Sequence, residues 1–407
     1  MSSKVPLYWM ALGSFAVGTE SFMIAAILPE IAADLSVSEQ AAGQLVSVFA
    51  LTYAASSPIL TAATGGLSRR LLLIGTMTAF VLANIVAAMA SGYAGLLVAR
   101  VLLAMAAGLF VPNANALAGT LVGPEERGRA LSIVTSGLSL AIVFGVPLGA
   151  LVGNSLGWRM TFAAVAALAV AAVIGLLVGL PRSMEVAAPV ASLGARLAAL
   201  KNPAVRRPLA ITALWAMGPF TVYPYIASYL REATGLDGAA VGFALFAWGL
   251  AAFAGLTFGG RAADRLGSRR VVRATLPLTA AALASLSLTA HVVPPSLALL
   301  PVLAGILAWG FAAWAFYPAQ QARLIAAVGP QGAPIILSVN ASFHYFGFSV
   351  GAAAGSLVLG FGGVRDLGWV GGLWVALACL LEFQAFSRSA AVSASTESSS
   401  RIRSSMR

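Results

Sequence analysis

The sequence is poor in the residues that build disulfide frameworks and metal centres. Its 407 residues include one cysteine, Cys379, and two histidines, His291 and His344. A single thiol excludes an intrachain disulfide and a cysteine-based metal cluster, and two histidines disfavour a histidine-rich metal site. The sequence also lacks a phosphate-binding loop of the Walker type. We therefore predict a protein that is not an enzyme and holds no cofactor.

Charged residues are scarce as well. They make up 9% of the chain, whereas hydrophobic residues make up 60%. A soluble domain carries roughly 25% charged residues. A chain with so few charges cannot cover itself with a water-compatible surface, so we expect most of it to be surrounded by lipid. The first apolar run follows residues 1–7 without a small-residue cleavage site, which favours a membrane span over a cleaved signal peptide.

Long apolar runs are what the sequence has in quantity. A helix needs roughly 20 apolar residues to cross the hydrocarbon core, and only a helix or a closed barrel satisfies its backbone there. The runs lack the alternating polarity of barrel strands. Twelve runs qualify: Leu7–Leu28, Gln40–Thr64, Leu71–Ser91, Gly95–Val122, Ala130–Asn154, Met160–Leu180, Pro208–Leu230, Ala239–Gly259, Val271–Val292, Ser296–Ala319, Ala333–Gly360 and Leu367–Phe386. The sequence thus predicts an all-α membrane protein with twelve transmembrane helices.

The basic residues predict how these spans are oriented. Of the 24 lysines and arginines, 20 fall on one side, and Arg159, Arg231 and Arg365 fall on the other. Arg100 lies within the fourth span. Because basic loop residues mark the cytoplasmic side, we expect both termini in the cytoplasm. This asymmetry accounts for the net charge of +11, so nucleic acid is not needed as a partner.

A basic linker, residues 181–207, divides the spans into two bundles of six, residues 1–180 and 208–386. The serine-rich tail, residues 387–407, is expected to be disordered. The halves repeat weakly, because an Arg-Arg pair follows both the second and the eighth span. Glycines four residues apart also recur in the fifth and eleventh spans, at Gly145, Gly149, Gly153, Gly347, Gly351 and Gly355. Such glycines allow close helix contact, and two pseudo-symmetric six-helix bundles predict a transporter that works by rocking.

Four segments carry recognisable motifs. The loop after the eighth span contains Gly260, Asp264, Arg265, Gly267, Arg269 and Arg270 in the pattern Gly-x-x-x-Asp-Arg-x-Gly-x-Arg-Arg. The other three are Gly18–Phe22 with Leu28–Leu35 in and after the first span, Arg100 with Gly108 in the fourth span, and Gly145, Pro147 and Gly149 in the fifth span. In these segments the chain resembles the major facilitator superfamily, and within it the twelve-span drug:proton antiporters of bacteria, including chloramphenicol-resistance-like exporters.

The resemblance covers the chain to about Phe386, and it implies the major facilitator fold. It also implies a monomeric transporter in the bacterial inner membrane that exports a small molecule in exchange for protons. The loop motif would act in gating, and the fifth-span motif is typical of exporters. The corresponding first-half loop, Thr64–Arg70, lacks the motif's aspartate and its first arginine. The locking contact would therefore rest on Asp264 alone.

A carboxylate inside the first span is the sharpest functional feature. A charge at the depth of Glu20 is costly unless it is paired, neutralised or in a cavity, so we hypothesise that Glu20 couples protons or binds cationic substrates. The alternative is that it only hydrates an outer vestibule. Arg100 differs from Glu20 in depth by about 6 Å at 1.5 Å per residue. It is predicted to pair with Glu20 or Asp34 in a proton-sensitive contact, or else to snorkel to the interface.

Further residues are predicted to line a substrate cavity: Asn113, Trp215, Tyr223, Trp309, Asn340 and His344. Asn340 and His344 are four residues apart and share a helix face. The alternatives are helix–helix contacts for the amides, packing for the histidine and interfacial belts for the aromatic residues. Aromatic residues near mid-span suit an amphipathic aromatic or cationic compound. Glu382, near the end of the twelfth span, is interpreted as an interface residue.

Together these features predict proton-coupled export of small amphipathic compounds by alternating access. Within the same fold, the alternative is a proton-coupled exporter of a metabolite such as a sugar or nucleoside. Two other classes also stay open: a passive facilitator, and a membrane receptor that moves no substrate.

Overall fold

The computed structural model describes residues 4–181 and 192–384, so the tail predicted at 387–407 lies outside the described residues. Within the described part, twelve helices are long and apolar enough to cross a membrane. They are α1 (Val5–Asp34), α2 (Glu39–Ala63), α3 (Arg69–Ala88), α4 (Tyr93–Ala118), α5 (Arg127–Leu156), α6 (Trp158–Gly179), α7 (Pro203–Thr234), α8 (Ala239–Leu266), α9 (Ser268–Val292), α10 (Pro295–Val328), α11 (Pro330–Phe361) and α12 (Val364–Gln384). The predicted all-α membrane fold with twelve transmembrane helices is confirmed.

Most of these helices extend beyond the predicted runs. The 34 residues of α10, for example, continue to Val328 and stop before Gly329, whose φ is 78°. At 1.5 Å per residue, this helix is about 51 Å long, whereas the hydrocarbon core is about 30 Å thick. Hydropathy detects only the part of a helix that lies in lipid, whereas the backbone hydrogen bonds of α10 continue until Gly329.

The chain forms two halves, α1–α6 and α7–α12, that meet where α2 packs on α11 and α5 packs on α8. Within the halves the packing repeats, since α5 packs on α1 and α11 packs on α7. The repeated glycines lie at these contacts. Side chains at Gly145 and Gly149 would collide with Thr19 and Met23 of α1, and one at Gly351 would collide with the backbone of α7.

Two spans are not continuous α-helices. In α5, a π-helical turn covers Ala141–Gly145 just before Pro147, where the missing proline N–H interrupts the helical hydrogen bonds. In α7, a 3-10 turn covers Tyr223–Tyr225 and includes Pro224. The backbone of α8 lies against the irregular turn of α5, because a side chain at Gly249 would come within 2.6 Å of the Ile142 carbonyl.

One end of the molecule carries most of the loop arginines and lysines, and we call it the basic end. Here a short helix, Leu193–Ala199, precedes α7 and packs against α11, with the Ser192 hydroxyl accepting a hydrogen bond from the Ala195 N–H at 3.1 Å. The sequence reading had treated residues 181–207 only as a polar connection. Hydropathy missed this helix because seven residues are too few to form a span.

Hydrogen bonds between the halves cluster toward the other end, which we call the opposite end. The Ser356 hydroxyl donates to the Gln40 carbonyl at 3.0 Å, and the Ser228 hydroxyl donates to the Glu39 carboxylate at 2.6 Å. Deeper along α2, the rings of Tyr53 and Tyr345 stack with centroids 3.7 Å apart. The two halves are therefore closed against each other at the opposite end.

Candidate transport site

A buried ion pair lies midway along α1. The guanidinium of Arg100 donates from Nη1 to Oε1 of Glu20, and both side chains are fully buried. The Arg100 Nε also donates to the Leu45 carbonyl at 3.2 Å, and its guanidinium lies 4.1 Å from the centre of the Phe49 ring. Arg100 of α4 therefore contacts both α1 and α2, and it holds three helices of the first half together.

This arrangement shows where Glu20 and Arg100 lie and which residue each contacts. Full burial of Arg100 contradicts snorkelling to the interface, and full burial of Glu20 contradicts a place in a hydrated vestibule. Asp34 is not the partner of Arg100, because it lies at the end of α1 beside α6. There its Oδ2 accepts hydrogen bonds from Arg159 at 2.6 Å and from the Trp158 indole at 3.1 Å.

The ion pair leaves one polar atom on each partner without a hydrogen bond. These atoms are Oε2 of Glu20 and Nη2 of Arg100, neither of which has a hydrogen-bond partner among residues 4–181 and 192–384. The carboxylate therefore contacts Arg100 through one oxygen, while the other oxygen keeps its lone pairs. A proton can bind at Oε2 without displacing the arginine from Oε1.

A cavity of about 20 Å³ lies next to α1, and its walls are mainly aromatic. Its lining residues are Phe22, Trp215, Pro219, Phe220, Tyr223, Trp248, Trp309, Ala313, Trp314, His344 and Phe348. Trp215, Tyr223, Trp309 and His344 were predicted to line a cavity, and the structure brings all four together. Among the described residues that line it, only Phe22 comes from the first half. A cavity of this size holds roughly one water molecule, so the rings nearly fill the space.

The prediction from sequence missed several of these rings, chiefly Phe22, Trp248 and Phe348. Phe22 was the easiest to find, since it lies two residues after Glu20 in the first-span motif. Its ring contacts Tyr223 and Trp314 at centroid distances of 6.0 and 6.3 Å. Hydropathy could not identify them, because it does not reveal how neighbouring helices are rotated.

A hydrogen bond ties α1 to this aromatic cavity. The Tyr223 hydroxyl of α7 donates to the Phe22 carbonyl of α1 at 3.0 Å. On the far wall, His344 lies between the rings of Trp215 and Phe348, with centroid distances of 5.3 and 4.2 Å. The helix that carries Glu20 thus reaches into a cavity built by the second half.

The two asparagines predicted for the cavity lie elsewhere. Asn113 accepts a hydrogen bond from Arg69 and donates to the Leu109 carbonyl at 2.6 Å, so it joins α4 to α3. Asn340 accepts a hydrogen bond from the Thr212 hydroxyl at 2.8 Å. It shares a helix face with His344 but lies one turn nearer the basic end, where it faces α7 instead of the aromatic rings. Both amides connect helices within their own half.

The loop motif between α8 and α9 is exposed. Gly267 has a φ of 87°, a conformation that glycine adopts at no steric cost. The motif's charged side chains are all exposed: Asp264, Arg265, Arg269 and Arg270. In the first half, by contrast, Arg69 is buried against Asn113, and Arg70 donates to the Leu177 and Leu180 carbonyls at 3.0 Å. These first-half arginines fasten α3 to α4 and to the end of α6.

The interpretation of Glu382 as an interface residue is wrong. Its side chain is 1% exposed and accepts hydrogen bonds from Arg323 at 2.7 Å and from Arg273 at 3.2 Å. Glu382 therefore joins α12 to α9 and α10 near the basic end of the second half. In the sequence, a glutamate at the end of an apolar run looks like a residue that contacts lipid headgroups. Only the packing of α9 and α10 against α12 shows that Glu382 is buried between helices instead.

Comparison with known proteins identifies the family. The model of the Major Facilitator Superfamily matches residues 10–223 and 209–405. The chain is 33% identical to the uncharacterized MFS-type transporter YbcL of Bacillus subtilis, covering 95% of this chain and 97% of that protein. It is 34% identical to a chloramphenicol resistance protein of Streptomyces lividans, covering 93% and 95% of the two chains.

A solved structure agrees at the level of the fold. A bacterial homologue of the human lysosomal transporter Spinster, in an inward-facing and occupied conformation, superposes with a TM-score of 0.75 at 17% identity. The match covers 93% of this chain and 96% of that chain. The twelve spans, their packing in two halves and these similarities lead to one conclusion: the chain belongs to the major facilitator superfamily.

Proposed function

We propose that this secondary transporter exports small amphipathic compounds in exchange for protons. The observation that carries the proposal is the fully buried contact between Glu20 and Arg100, two residues along α1 from Phe22 in the aromatic cavity. A buried charge pair in a membrane is costly and marks a functional site by default. Glu20 lies on the same helix as Phe22, which lines the cavity. Binding of a proton and binding of a compound would therefore both act on α1.

Proton binding at Glu20 would change what Arg100 holds together. The proton adds to Oε2, and the negative charge that offsets the guanidinium is lost. Arg100 then keeps its contacts to the Leu45 carbonyl and the Phe49 ring of α2, but its attraction to α1 weakens. Because α2 packs on α11 of the other half, a looser link between α1 and α2 alters how the halves meet.

The closed opposite end supports alternating access. With the basic end on the cytoplasmic side, as the basic residues predict, this state faces the cytoplasm of a bacterial cell. The exposed loop motif around Asp264 would make its gating contact when the basic end closes. The tight packing of Gly145 and Gly149 on α1 supports the movement of α5 and α1 as one body, with the chain acting as a monomer in the inner membrane.

Two observations support the substrate class and the direction of transport. The cavity walls are aromatic rings, which suit amphipathic compounds. The described lining has no carboxylate or amide side chain to accept hydrogen bonds from the hydroxyl groups of a sugar or nucleoside. A relative of 34% identity is a chloramphenicol resistance protein, which supports export of such compounds out of the cell.

The test uses everted membrane vesicles that carry the protein and a respiration-driven pH gradient. Amphipathic drugs, sugars and nucleosides are added in turn, and the gradient is followed with a pH-sensitive dye. We expect the amphipathic compounds to collapse the gradient, and we expect Glu20→Gln to abolish the response. Collapse by sugars or nucleosides alone would identify a metabolite exporter. Flux of labelled compound without proton movement would identify a passive facilitator.

Glu126→Gln is the matched control. Glu126 lies outside the spans, between α4 and α5, where Lys4 donates a hydrogen bond to it at 2.6 Å. That hydrogen bond lowers the pKa of Glu126 below its usual value, so this carboxylate stays ionised near neutral pH and has no proton to exchange. The control variant should retain the full response. A loss of response in both variants would point to damaged folding and contradict a specific role for Glu20.

A further inference from the structure

Four polar atoms of the residues that line the cavity have no hydrogen bond in the described structure. They are the indole Nε1 atoms of Trp215, Trp248 and Trp309 and the Nε2 atom of His344. All four residues are at least nine-tenths buried. Buried polar groups are almost always hydrogen-bonded, so these four atoms are available to a compound that enters the cavity.

The chemistry of these atoms selects the groups that would satisfy them. An indole N–H is a donor only, while an imidazole nitrogen donates or accepts according to its tautomer. The Tyr223 hydroxyl in the same cavity already donates to the Phe22 carbonyl at 3.0 Å. The donors that remain therefore require acceptor atoms, such as nitro, carbonyl or ether oxygens, on a bound compound.

The cavity is poorly suited to a cation. None of the described residues that line it is an aspartate or a glutamate, and the nearby Glu20 carboxylate already contacts Arg100. Ring faces attract cations, but these faces largely cover one another. Trp248 packs on Tyr223 and Trp309 with centroid distances of 5.0 and 5.7 Å.

The break in α7 shows how the cavity can widen. The 3-10 turn Tyr223–Tyr225 interrupts this helix where Tyr223 lines the cavity. Pro219 lies inside the preceding α-helical part and lacks the N–H for one helical hydrogen bond. In membrane transporters, interrupted helices occur where the backbone borders a substrate site. A volume of about 20 Å³ requires the rings to separate for any compound larger than water, and an interrupted helix allows such a movement locally.

From this geometry we infer that the substrates are uncharged aromatic compounds that carry hydrogen-bond acceptors, recognised by the indole N–H groups of Trp215, Trp248 and Trp309 together with His344. Lipophilic cations are excluded as the main class. The inference rests on the proposed function for the role of the cavity, and it adds the chemistry by which compounds are selected.

The test is binding to the purified full-length protein in lipid nanodiscs, followed by calorimetry. Chloramphenicol is the probe because it is an uncharged nitroaromatic amide. Its analogue without the nitro group and tetraphenylphosphonium are the comparisons. We expect chloramphenicol to bind roughly 5- to 10-fold more tightly than the analogue, which is the range of one or two hydrogen bonds. We expect tetraphenylphosphonium to bind more weakly still.

Trp→Phe variants identify the donors, since phenylalanine keeps a ring but loses the N–H. Trp248→Phe and Trp309→Phe should each weaken chloramphenicol binding roughly 5-fold and reduce the discrimination against the analogue. Trp374→Phe is the matched control, because the Trp374 indole also has no hydrogen bond in the described structure but lies outside the cavity. Equal losses for all three variants, or tighter binding of tetraphenylphosphonium, would overturn the inference, as would failure of chloramphenicol to bind.

The vesicle assay separates this inference from the proposed function. If chloramphenicol binds with the expected selectivity but moves no protons, the selectivity stands and proton-coupled export fails. If cations collapse the pH gradient through Glu20 while chloramphenicol neither binds nor affects the gradient, proton coupling stands and the inference about the substrate class fails.

Discussion

The first half buries a charge pair at the middle of α1, whereas the second half buries a group of aromatic rings beside it. Both halves pack their helices alike, with α5 on α1 and α11 on α7. The shared packing shows that the repeat preserves helix contacts without preserving the chemistry inside. Under the proposed function, one half carries the groups that would respond to a proton, and the other carries the surfaces that would fit a compound.

The ion pair and the aromatic cavity meet on α1. Glu20 contacts Arg100 within the first half, and Phe22, two residues on, enters the aromatic cavity and accepts a hydrogen bond from Tyr223. A helix that carries both contacts can transmit a change at one to the other. In the proposed mechanism, coupling between proton and compound would therefore depend on a short segment of α1.

The second half also contains a buried carboxylate, Glu382, which can be compared with Glu20. Glu382 contacts Arg323 and Arg273 near the basic end of the second half. Its two arginines are partly exposed, whereas Glu20 and Arg100 are both fully buried. We interpret Glu382 as a structural link between helices and reserve the proton-coupling role for Glu20.

Arg100→Ala should have the largest effect. It leaves the Glu20 carboxylate buried without its charge partner, which typically destabilises a protein by about 3–5 kcal/mol. We expect a loss of this size in denaturant unfolding of the purified protein, together with loss of proton-coupled transport. The double variant Glu20→Gln with Arg100→Gln should recover part of the stability and none of the coupling.

Glu382→Gln is the reference for this experiment. It should also lower stability, because two arginines lose a charged acceptor, but the response of transport to pH should persist. Two results would contradict the distinction between a coupling pair and a structural link. One is loss of the pH response in Glu382→Gln. The other is a double variant whose loss of unfolding free energy equals the sum of the losses in Glu20→Gln and Arg100→Gln alone.

Glycine substitutions should affect the two halves unequally. A Cβ at Gly351 would collide with the backbone of Met217, including its Cα at 2.9 Å, whereas a Cβ at Gly149 meets the side chain of Met23 at 2.8 Å. Backbone atoms and Cβ atoms both move only with their helix, so the size of the required shift decides. Met217 presents two backbone atoms closer than 3.0 Å to the new Cβ, whereas Met23 presents only its Cβ. Overpacking typically lowers the free energy of unfolding by about 1–3 kcal/mol. We expect the loss for Gly351→Ala to lie near the upper end of this range and the loss for Gly149→Ala near the lower end.

Thermal unfolding of the two glycine variants side by side checks this expectation, with Gly260→Ala as the control. A side chain at Gly260 meets open space, so its melting temperature should stay close to that of the parent protein. Equal decreases in melting temperature for Gly149→Ala and Gly351→Ala would contradict the expected difference between the two halves.

Tyr223→Phe should have the smallest effect. It removes the hydrogen bond to the Phe22 carbonyl that joins the halves, and one such bond contributes about 0.5–1.5 kcal/mol. The closed arrangement of the opposite end should become roughly 2- to 10-fold less populated. Distances between spin labels in the loops after α1 and α7 would report the change.

Tyr229→Phe is the control for that measurement, because the Tyr229 hydroxyl donates to the Leu286 carbonyl at 2.7 Å within the second half. It removes a buried hydrogen bond of the same kind without loosening the contact between halves. A similar shift in label distances for both variants would contradict the role given to Tyr223.

Local composition was enough to predict the membrane character of the chain, the twelve spans and, through the motifs, the family. Each of these rests on properties of consecutive residues: hydropathy over about 20 positions and fixed motif spacing. The repeated glycines were found in the same way, since positions four apart share a helix face. The charge distribution likewise predicts the orientation, which stays a prediction.

Only the tertiary structure decided which side chains meet. It paired Arg100 with Glu20 and placed Asp34 beside Arg159, and it directed Asn113 and Asn340 to neighbouring helices instead of the cavity. The reason is physical. Helix rotation and irregular turns such as Tyr223–Tyr225 determine which faces converge, and these depend on packing among spans far apart in sequence.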